Sequence, residues 1–221
     1  MATYPTEWMS ESCGGPRYRW TPESAIEVEG EGSPAKPMPA GVAQWSGLIA
    51  AAAEKYGLPP NYLAAFVAQE SGGKPDVISF DSGYGLMQIT SAGLKGGRSD
   101  AELLDPETNL DIGAGFLAKL LNTYGGDPIK AAFAYNAGSP RCDTRTSCAP
   151  NRWGLYSYCI NGKSNDYGGS ILAYTNGALA MEFTPSYGVG PWRWWLFGMA
   201  AVVGYLAVAE PKVQRWFREL A

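Results

Sequence analysis

The sequence predicts a mostly α-helical fold. Apolar residues recur at intervals of three and four in several segments, and Asp-Pro pairs supply helix start signals. No segment alternates between apolar and polar residues for long enough to predict a strand. An apolar content of 46% in 221 residues is sufficient for one packed core with accessory segments. We therefore expect a helical domain over residues 42–181, flanked by segments of different character.

Five segments of the predicted domain combine an apolar helical pattern with start or stop signals. They cover residues 45–57, 61–73, 105–121, 127–138 and 167–181. Asn61 is the predicted cap of the second helix, and Asp105 and Asp127 each precede a proline at the first helical position. Glycines end the first, second and fourth segments, as is common at helix C-termini.

Residues 1–41 are predicted to form an extended or disordered N-terminal arm. Six prolines and five glycines interrupt this stretch, and it shows no helical or alternating apolar pattern. The arm also lacks the basic start, apolar run and small-residue cleavage site of a secretory signal. We therefore interpret it as an arm of the helical domain and not as a secretory leader.

The C-terminal residues predict a membrane anchor. Residues 182–191 have a linker composition, and the sixteen residues from Trp194 to Ala209 carry no charge. Tryptophans flank this run on both sides, and basic residues predominate after it. Residues 192–221 are therefore predicted to be a transmembrane helix with a short basic tail, a single span that tethers the protein to a lipid membrane. The alternative is a buried helix of the main domain, because the run is slightly short for a ~30 Å hydrocarbon core.

Composition excludes several classes of chemistry. The chain has no histidine, which rules out His-based acid–base catalysis, histidine-containing triads and His-ligated metals. Its net charge of −4 provides no basic field for nucleic acid. Three of the four cysteines lie between residues 142 and 159, which favours one disulfide among these three over a zinc site. We expect no metal and no cofactor.

Glu70 is the candidate catalytic acid. It follows the apolar turn of residues 66–68 at the end of the second predicted helix. Desolvation and the negative end of the helix dipole both raise the pKa of a carboxyl group in that position. A carboxyl that keeps its proton near neutral pH is suited to general acid catalysis. Taken alone, a glutamate in such a position is more often a solvated helix-end residue.

The string YGLMQ at residues 84–88 supplies candidate substrate-binding residues. It is apolar and punctuated by glycine, a composition that can bring backbone donors and a methionine surface against a sugar. Tyr84, Met87 and Gln88 are the candidates within it. The alternative interpretation is a tight turn into a core helix.

The string AYNAG at residues 134–138 ends a helix of small residues. Tyr135 can bond a facing carboxyl, and Asn136 offers both a donor and an acceptor. The alternative is an interior tyrosine followed by a capping asparagine.

In this order the strings resemble the soluble lytic transglycosylase family, whose members cleave peptidoglycan with a lysozyme-like fold. The resemblance rests on ESGGKP at 70–75, GYGLMQI at 83–89, a helix opened by DP at 105–106 with NL at 109–110, and AYNAG at 134–138. It covers about residues 45–180. The resemblance implies a lysozyme-like helical domain that acts on the glycan strands of peptidoglycan.

The resemblance also implies roles for individual residues. Glu70 would protonate the β-1,4 glycosidic oxygen between N-acetylmuramic acid and N-acetylglucosamine, and would then deprotonate the muramoyl 6-hydroxyl to give a 1,6-anhydro product. Tyr135 corresponds to the tyrosine that orients the acid, and Ser79 to a serine near the acetamido group. The residues that would line the glycan groove are Met87, Gln88 and Asn136.

Asp81 departs from the family pattern, because many members carry a small or apolar residue in this loop. Goose-type lysozymes, which share the fold, carry aspartates there and hydrolyse with inversion. If Asp81 holds a water opposite the scissile bond, the chain is a hydrolysing muramidase. Otherwise Asp81 forms an Asx-type turn. A noncatalytic, membrane-anchored glycan-binding protein is the alternative outside the enzyme classes.

The tethered enzyme predicted from these features would open the cell wall locally, in a bacterial envelope or from a virion membrane. The missing secretory signal and the C-terminal span are the features that suggest a phage virion.

Overall fold

The computed structural model describes residues 34–183. Helices dominate this part of the chain, so the mostly-α prediction is confirmed. In chain order the helices are α1 Ala40–Ala43, α2 Ser46–Tyr56, α3 Pro60–Glu70, α4 Ala92–Lys95, α5 Asp100–Leu104, α6 Pro106–Thr123, α7 Pro128–Ala137 and α8 Tyr167–Gly177. A 3₁₀ turn at Ala178–Ala180 follows α8. Strands β1 Cys159–Ile160 and β2 Lys163–Ser164 pair antiparallel between α7 and α8.

Local signals account for most helix ends. Asp105 and Asp127 cap α6 and α7 as predicted, because their side chains accept hydrogen bonds from backbone N–H groups of the first turn. Gly57 and Gly138 end α2 and α7 in the left-handed conformation. The predicted cap Asn61 is wrong, since α3 already begins at Pro60, whose ring presets a helical φ, and Pro59 is the capping residue.

The ends of the domain differ from the predicted boundaries. Helix α1 begins at Ala40, inside the predicted arm, and the extended residues before it lie against α8, where the Lys36 N–H donates to the Ala173 carbonyl at 2.8 Å. Residues 1–33 of the arm and the predicted span 192–221 lie outside the described residues. Within residues 34–183, no helix combines the length and the apolar character that crossing a membrane requires.

Helix α3 is the centre of the core. Its residues 62–68 are all buried, on every side of the helix. It packs against α2 on one side and α8 on another, and the Tyr62 hydroxyl donates to the Pro128 carbonyl at the start of α7 at 2.7 Å. A helix that is apolar all round is stable only when neighbours enclose it. Glu70, its last residue, therefore stands where the enclosed helix reaches the edge of the core.

The start of α5 and the β1–β2 hairpin are encoded by local sequence signals that apolar periodicity does not detect. Ser99 and Glu102 form a reciprocal capping box at the start of α5. Asn161 and Gly162 connect β1 to β2 with φ of 51° and 76°, which matches the Asn-Gly preference of tight hairpins. A disulfide between Cys148 and Cys159 ties the preceding loop to this hairpin across a Cα–Cα distance of 6.0 Å.

Asn109 of α6 fixes the loop that carries YGLMQ. Its side chain is fully buried. The carbonyl oxygen accepts from the Met87 N–H at 2.8 Å, and the amide nitrogen donates to the carbonyls of Tyr84 and Leu103, both at 2.7 Å. Gly85 has a φ of 68°, and a Cβ there would come within 2.6 Å of the Asn109 amide nitrogen. One buried amide thus sets the backbone path of the loop.

We expect Asn109→Ala to lower the free energy of unfolding by about 2–4 kcal/mol, because it removes the buried side-chain partner of the Met87 N–H and of the Leu103 carbonyl. Urea denaturation measures the loss. Asn122→Ala is the matched control, since Asn122 is exposed on the same helix and its truncation should cost far less. Equal losses in the two variants would contradict the role given to Asn109.

Candidate active site

Glu70 is a partly buried carboxyl group with a raised pKa. Burial at the end of α3 raises the pKa of Glu70 from the ordinary 4.5 of a glutamate to about 7. A hydrogen bond from Tyr167 opposes this rise, and the negative charge of Asp81 adds to it. The prediction of an acid that is protonated near neutral pH therefore has a structural cause. Desolvation is the largest contribution, and Asp81 is close enough to contribute.

Tyr167 is the direct partner of the acid. Its hydroxyl donates to Oε1 of Glu70, and its side chain is 2% exposed. Its position is set by Asp166, whose Oδ1 caps α8 by accepting from the Gly169 N–H at 3.0 Å. The same oxygen accepts from the Trp153 indole N–H at 2.5 Å. The start of α8 is therefore held in place on two sides, with Tyr167 facing Glu70.

The sequence analysis did not predict the contact between Tyr167 and Glu70. The two residues are 97 positions apart, and no local pattern links them. The only hint in the sequence was an Asp-Tyr pair at a helix start, which places a tyrosine in the first turn of a buried helix.

Tyr135 has a different contact from the predicted one. Its hydroxyl donates to the Met87 carbonyl at 2.7 Å, not to Glu70. Its ring lies edge-on to Phe66 at 4.9 Å between centroids and packs beside Phe116 at 5.5 Å. Burial raises its pKa, and the charge of Glu70 adds to that rise, so Tyr135 does lie near the acid. It holds the YGLMQ loop beside Glu70, whereas the hydrogen bond to the carboxyl comes from Tyr167.

Met87 was predicted to line the groove, and the structure places it in the core instead. Its side chain is fully buried and covers Gly113 of α6 so closely that a Cβ at that glycine would overlap the Met87 sulfur. A long, flexible thioether fills this irregular space over a glycine. The contribution of Met87 to the site is its carbonyl, which is the acceptor for Tyr135.

Gln88 and Tyr84 are both half-buried and support the loop. The Gln88 amide nitrogen donates to the carbonyls of Val77 and Gly85 at 3.2 and 2.9 Å. The Lys95 ammonium lies over the Tyr84 ring at 4.4 Å and donates to the Ser82 carbonyl at 2.8 Å. Both predicted binding residues are thus engaged in holding residues 77–88 in one conformation.

The turn after Glu70 is tied to the same loop. The Ser71 hydroxyl donates to the Leu86 carbonyl at 2.9 Å and accepts from the Gly73 N–H at 3.1 Å. Gly73 has a φ of 83°, and a Cβ there would overlap the backbone of Gly41. Close backbone approach therefore requires glycine at position 73, whereas at Gly72 it is the φ of 64° that favours glycine.

Ser79 and Asp81 form a small hydrogen-bonded turn. The Ser79 hydroxyl donates to Asp81 Oδ1 at 2.5 Å and accepts from the Gly83 N–H at 2.9 Å. Asp81 is exposed, and Phe80 between them is fully exposed at the tip of the turn. Asp81 therefore takes part in a turn, which is one of the two roles considered for it from the sequence. Its negative charge also adds to the raised pKa of Glu70, so Asp81 lies near the site.

Asn136 connects α7 to the cysteine-containing loop. Its side-chain oxygen accepts from the Ser157 hydroxyl at 3.1 Å, and Ser157 is fully buried. Trp153 of the same loop is 2% exposed and packs in the core. Tyr158 remains exposed on the loop. The loop therefore begins beside the AYNAG string.

The structure brings one protonatable carboxyl, a buried tyrosine donor and a second carboxylate together beside a rigid loop. Such a site can hold a proton near neutral pH and release it to a basic or developing oxyanion. Asn109 and Ser71 were the support residues whose roles sequence reasoning did not describe, and both act by hydrogen bonds between distant segments.

We expect Tyr167→Phe to raise the pKa of Glu70 above about 7, because the substitution removes the hydrogen bond that favours the carboxylate. Asp81→Asn should lower that pKa by removing a nearby negative charge. Carboxyl ¹³C shifts of labelled glutamate, followed against pH by NMR, measure both. Tyr135→Phe is the control and should move the Glu70 pKa least, because its hydroxyl bonds Met87. If Tyr135→Phe shifts the Glu70 pKa more than Tyr167→Phe does, Tyr135 and not Tyr167 is the hydrogen-bond donor to Glu70.

Comparison with known proteins shows what the segment around the site is similar to. Residues 47–151 match the model of the transglycosylase SLT domain. The soluble lytic murein transglycosylase of Escherichia coli (strain K12) is 31% identical over 129 residues, which cover 53% of this chain and 20% of that protein. The endo-type membrane-bound lytic murein transglycosylase A of Cronobacter sakazakii is 34% identical over 87 residues, covering 35% of this chain and 43% of that protein.

Two solved structures show the same kind of similarity. An inactive variant of lytic transglycosylase Slt from Pseudomonas aeruginosa is 28% identical, with a TM-score of 0.41, over 44% of this chain and 17% of its own. The 70 kDa soluble lytic transglycosylase of Escherichia coli is 33% identical, with a TM-score of 0.39. The match covers 41% of this chain and 16% of that protein. The chain thus spans less than half the length of these relatives. The matched segment contains Glu70 and three of its surrounding strings, so residues 47–151 of this chain are similar to transglycosylase SLT domains.

Proposed function

We propose that this chain cleaves the β-1,4 bond between N-acetylmuramic acid and N-acetylglucosamine in peptidoglycan as a lytic transglycosylase. The observation that supports this most is Glu70, a carboxyl with a pKa of about 7 that accepts a hydrogen bond from Tyr167 and lies in the segment similar to SLT domains. The relatives are named lytic murein transglycosylases, which supports the same reaction class. A lysozyme-like arrangement of the helices around the glycan groove is part of the proposal.

In the proposed mechanism Glu70 acts twice. The protonated carboxyl first gives its proton to the glycosidic oxygen, and the bond between that oxygen and C1 of the muramoyl residue breaks. The muramoyl 6-hydroxyl then attacks C1 and returns its proton to the Glu70 carboxylate, which closes the 1,6-anhydro ring and restores the acid. Tyr167 stabilises the carboxylate formed between the two steps, because its hydroxyl donates to Oε1. The substrate acetamido group near Ser79 would assist at C1, so no nucleophilic carboxylate is required.

Hydrolysis is the second candidate, because Asp81 lies near enough to Glu70 for its charge to add to the raised pKa of that carboxyl. In that reaction Asp81 would deprotonate a water that attacks C1 and leaves a reducing end. The hydrogen bond from Ser79 engages one oxygen of Asp81 in the turn, which favours the transglycosylase reaction.

We expect Glu70→Gln to reduce the release of muropeptides from purified peptidoglycan by at least about 10³-fold, since the amide cannot donate the acid proton. For the unmodified chain, the rate should fall as pH rises above about 7, because the proton is then lost from Glu70 before substrate binds. Mass spectrometry of the products distinguishes anhydro ends from reducing ends, which are heavier by one water.

Asn122→Ala on the exposed face of α6 is the activity control and should release muropeptides at the unmodified rate. Reducing ends in place of anhydro ends would support hydrolysis. If the unmodified chain releases no product but still sediments with peptidoglycan, the enzyme assignment fails and the noncatalytic alternative stands.

The proposal includes a membrane tether at residues 192–221 and local opening of the wall, in an envelope or in a phage virion. The uncharged run flanked by tryptophans supports the tether. We expect the full chain to stay with membranes after a carbonate wash, whereas a chain ending at residue 191 should be released. Release of the full chain by carbonate would contradict the tether and leave the cleavage proposal intact.

A further inference from the structure

We propose that Arg141, stacked on Tyr156, binds a carboxylate of the peptide stem attached to the muramoyl residue. This inference rests on the proposed function, because the peptide stem is part of that substrate. It assigns a binding site to the loop between α7 and α8, which is outside the acid site and begins beside the AYNAG string.

Tyr156 lies between two guanidinium groups. The central carbon of Arg141 is 3.8 Å from the ring centroid and that of Arg145 is 4.2 Å from it. The backbone supports the pairing, since the Tyr156 N–H donates to the Arg141 carbonyl at 2.8 Å. Stacking on an aromatic ring holds a long arginine side chain in place and leaves its N–H edges available. The Arg141 guanidinium is thus oriented in advance.

The cluster of Arg141, Asp143, Arg145 and Tyr156 carries one positive charge in excess. Arg145 bonds both oxygens of Asp143, at 2.8 and 2.6 Å, and the Asp143 side chain is fully buried under it. That pair is internally neutral. Arg141 is exposed, and it takes part in none of the ion pairs found among residues 34–183. Its side chain bonds only weakly to the Ser139 hydroxyl, at 3.3 Å. One oriented positive charge therefore faces solvent.

A chain of contacts connects this cluster to the acid site. Arg145 donates to the Ser157 carbonyl at 2.6 Å, and the Ser157 hydroxyl donates to Asn136 at 3.1 Å. Asn136 follows Tyr135, whose hydroxyl reaches the Met87 carbonyl in the loop beside Glu70. The Cys148–Cys159 disulfide fixes the rest of the loop. The positive charge is thus held near the C-terminal end of α7, and these contacts connect that position to the loop beside Glu70.

Carboxylates are the ligand that fits this charge. A guanidinium offers two parallel N–H donors, which match the two oxygens of a carboxylate. A glycan strand has no negative charge on its sugar rings, whereas the peptide stem on each muramoyl residue carries free carboxyl groups. Arg141 would therefore distinguish stem-bearing glycan with free carboxylates from glycan whose stems are amidated.

The test compares two tetrasaccharide muropeptides that differ only in whether the stem carboxyl groups are free or converted to carboxamides. Binding is measured by calorimetry on the full 221-residue chain carrying Glu70→Gln, which prevents cleavage. We expect Arg141→Gln to weaken binding of the free-carboxylate ligand by about 3- to 10-fold and to leave the amidated ligand unchanged. Arg141→Lys should recover part of the loss, because it keeps the charge but not the paired donors.

Lys119→Gln is the matched control for net charge, since Lys119 is an exposed cation on α6. It should leave both ligands unaffected. An Arg141→Gln variant that binds both ligands as the parent does, or that loses both equally, overturns the inference. Cleavage of peptidoglycan by the unmodified chain is measured in parallel. If cleavage is absent the proposed function fails, whereas intact cleavage with unchanged binding overturns the Arg141 site alone.

Discussion

The placement of one carboxyl group at the end of an enclosed helix is the constraint on which the site depends. Helix α3 is buried on every side through residue 68, so its last residue cannot be fully hydrated. Burial of a carboxylate is unfavourable unless hydrogen bonds compensate for the lost water. Glu70 receives one such bond, from Tyr167, and the carboxyl therefore keeps a pKa of about 7. A second strong donor would restore an ordinary acidity and remove the acid function.

Two tyrosines near the Glu70 carboxyl have different roles. The hydrogen bond from Tyr167 lowers the pKa of Glu70, and Tyr135 fixes the loop beside the acid through the Met87 carbonyl. Asn109 holds the same loop from α6. These bonds join α3, α6, α7 and α8, so helix packing and site geometry are set by the same contacts. A site held in this way is formed before substrate binds, which limits the reorganisation that the reaction requires.

Local signals in the sequence were sufficient to place much of the fold. Asp105 and Asp127 define helix starts by bonds to residues two or three positions away, and such bonds need no tertiary context. Glu70 could be selected because its own helix supplies the desolvation and the YGLMQ and AYNAG strings accompany it. The inward direction of Met87 and the contact between Tyr167 and Glu70 could not be predicted, since both depend on how distant helices pack. The Asn-Gly turn at 161–162 was readable from sequence and was overlooked because each strand has only two residues.

In the proposed function, Asp81 bears both on whether the product is an anhydro sugar or a reducing end and on the pKa of Glu70. Its charge raises the pKa of Glu70, and its Oδ1 accepts from Ser79 in a turn beside the site. Removing the carboxylate therefore changes acid strength even when Asp81 never contacts a water. A lower rate after such a substitution identifies no base by itself, because a more acidic Glu70 also loses its proton at neutral pH. Only the product distinguishes the two roles, since a base for water leaves a reducing end and a charge that acts on Glu70 leaves the anhydro ring unchanged.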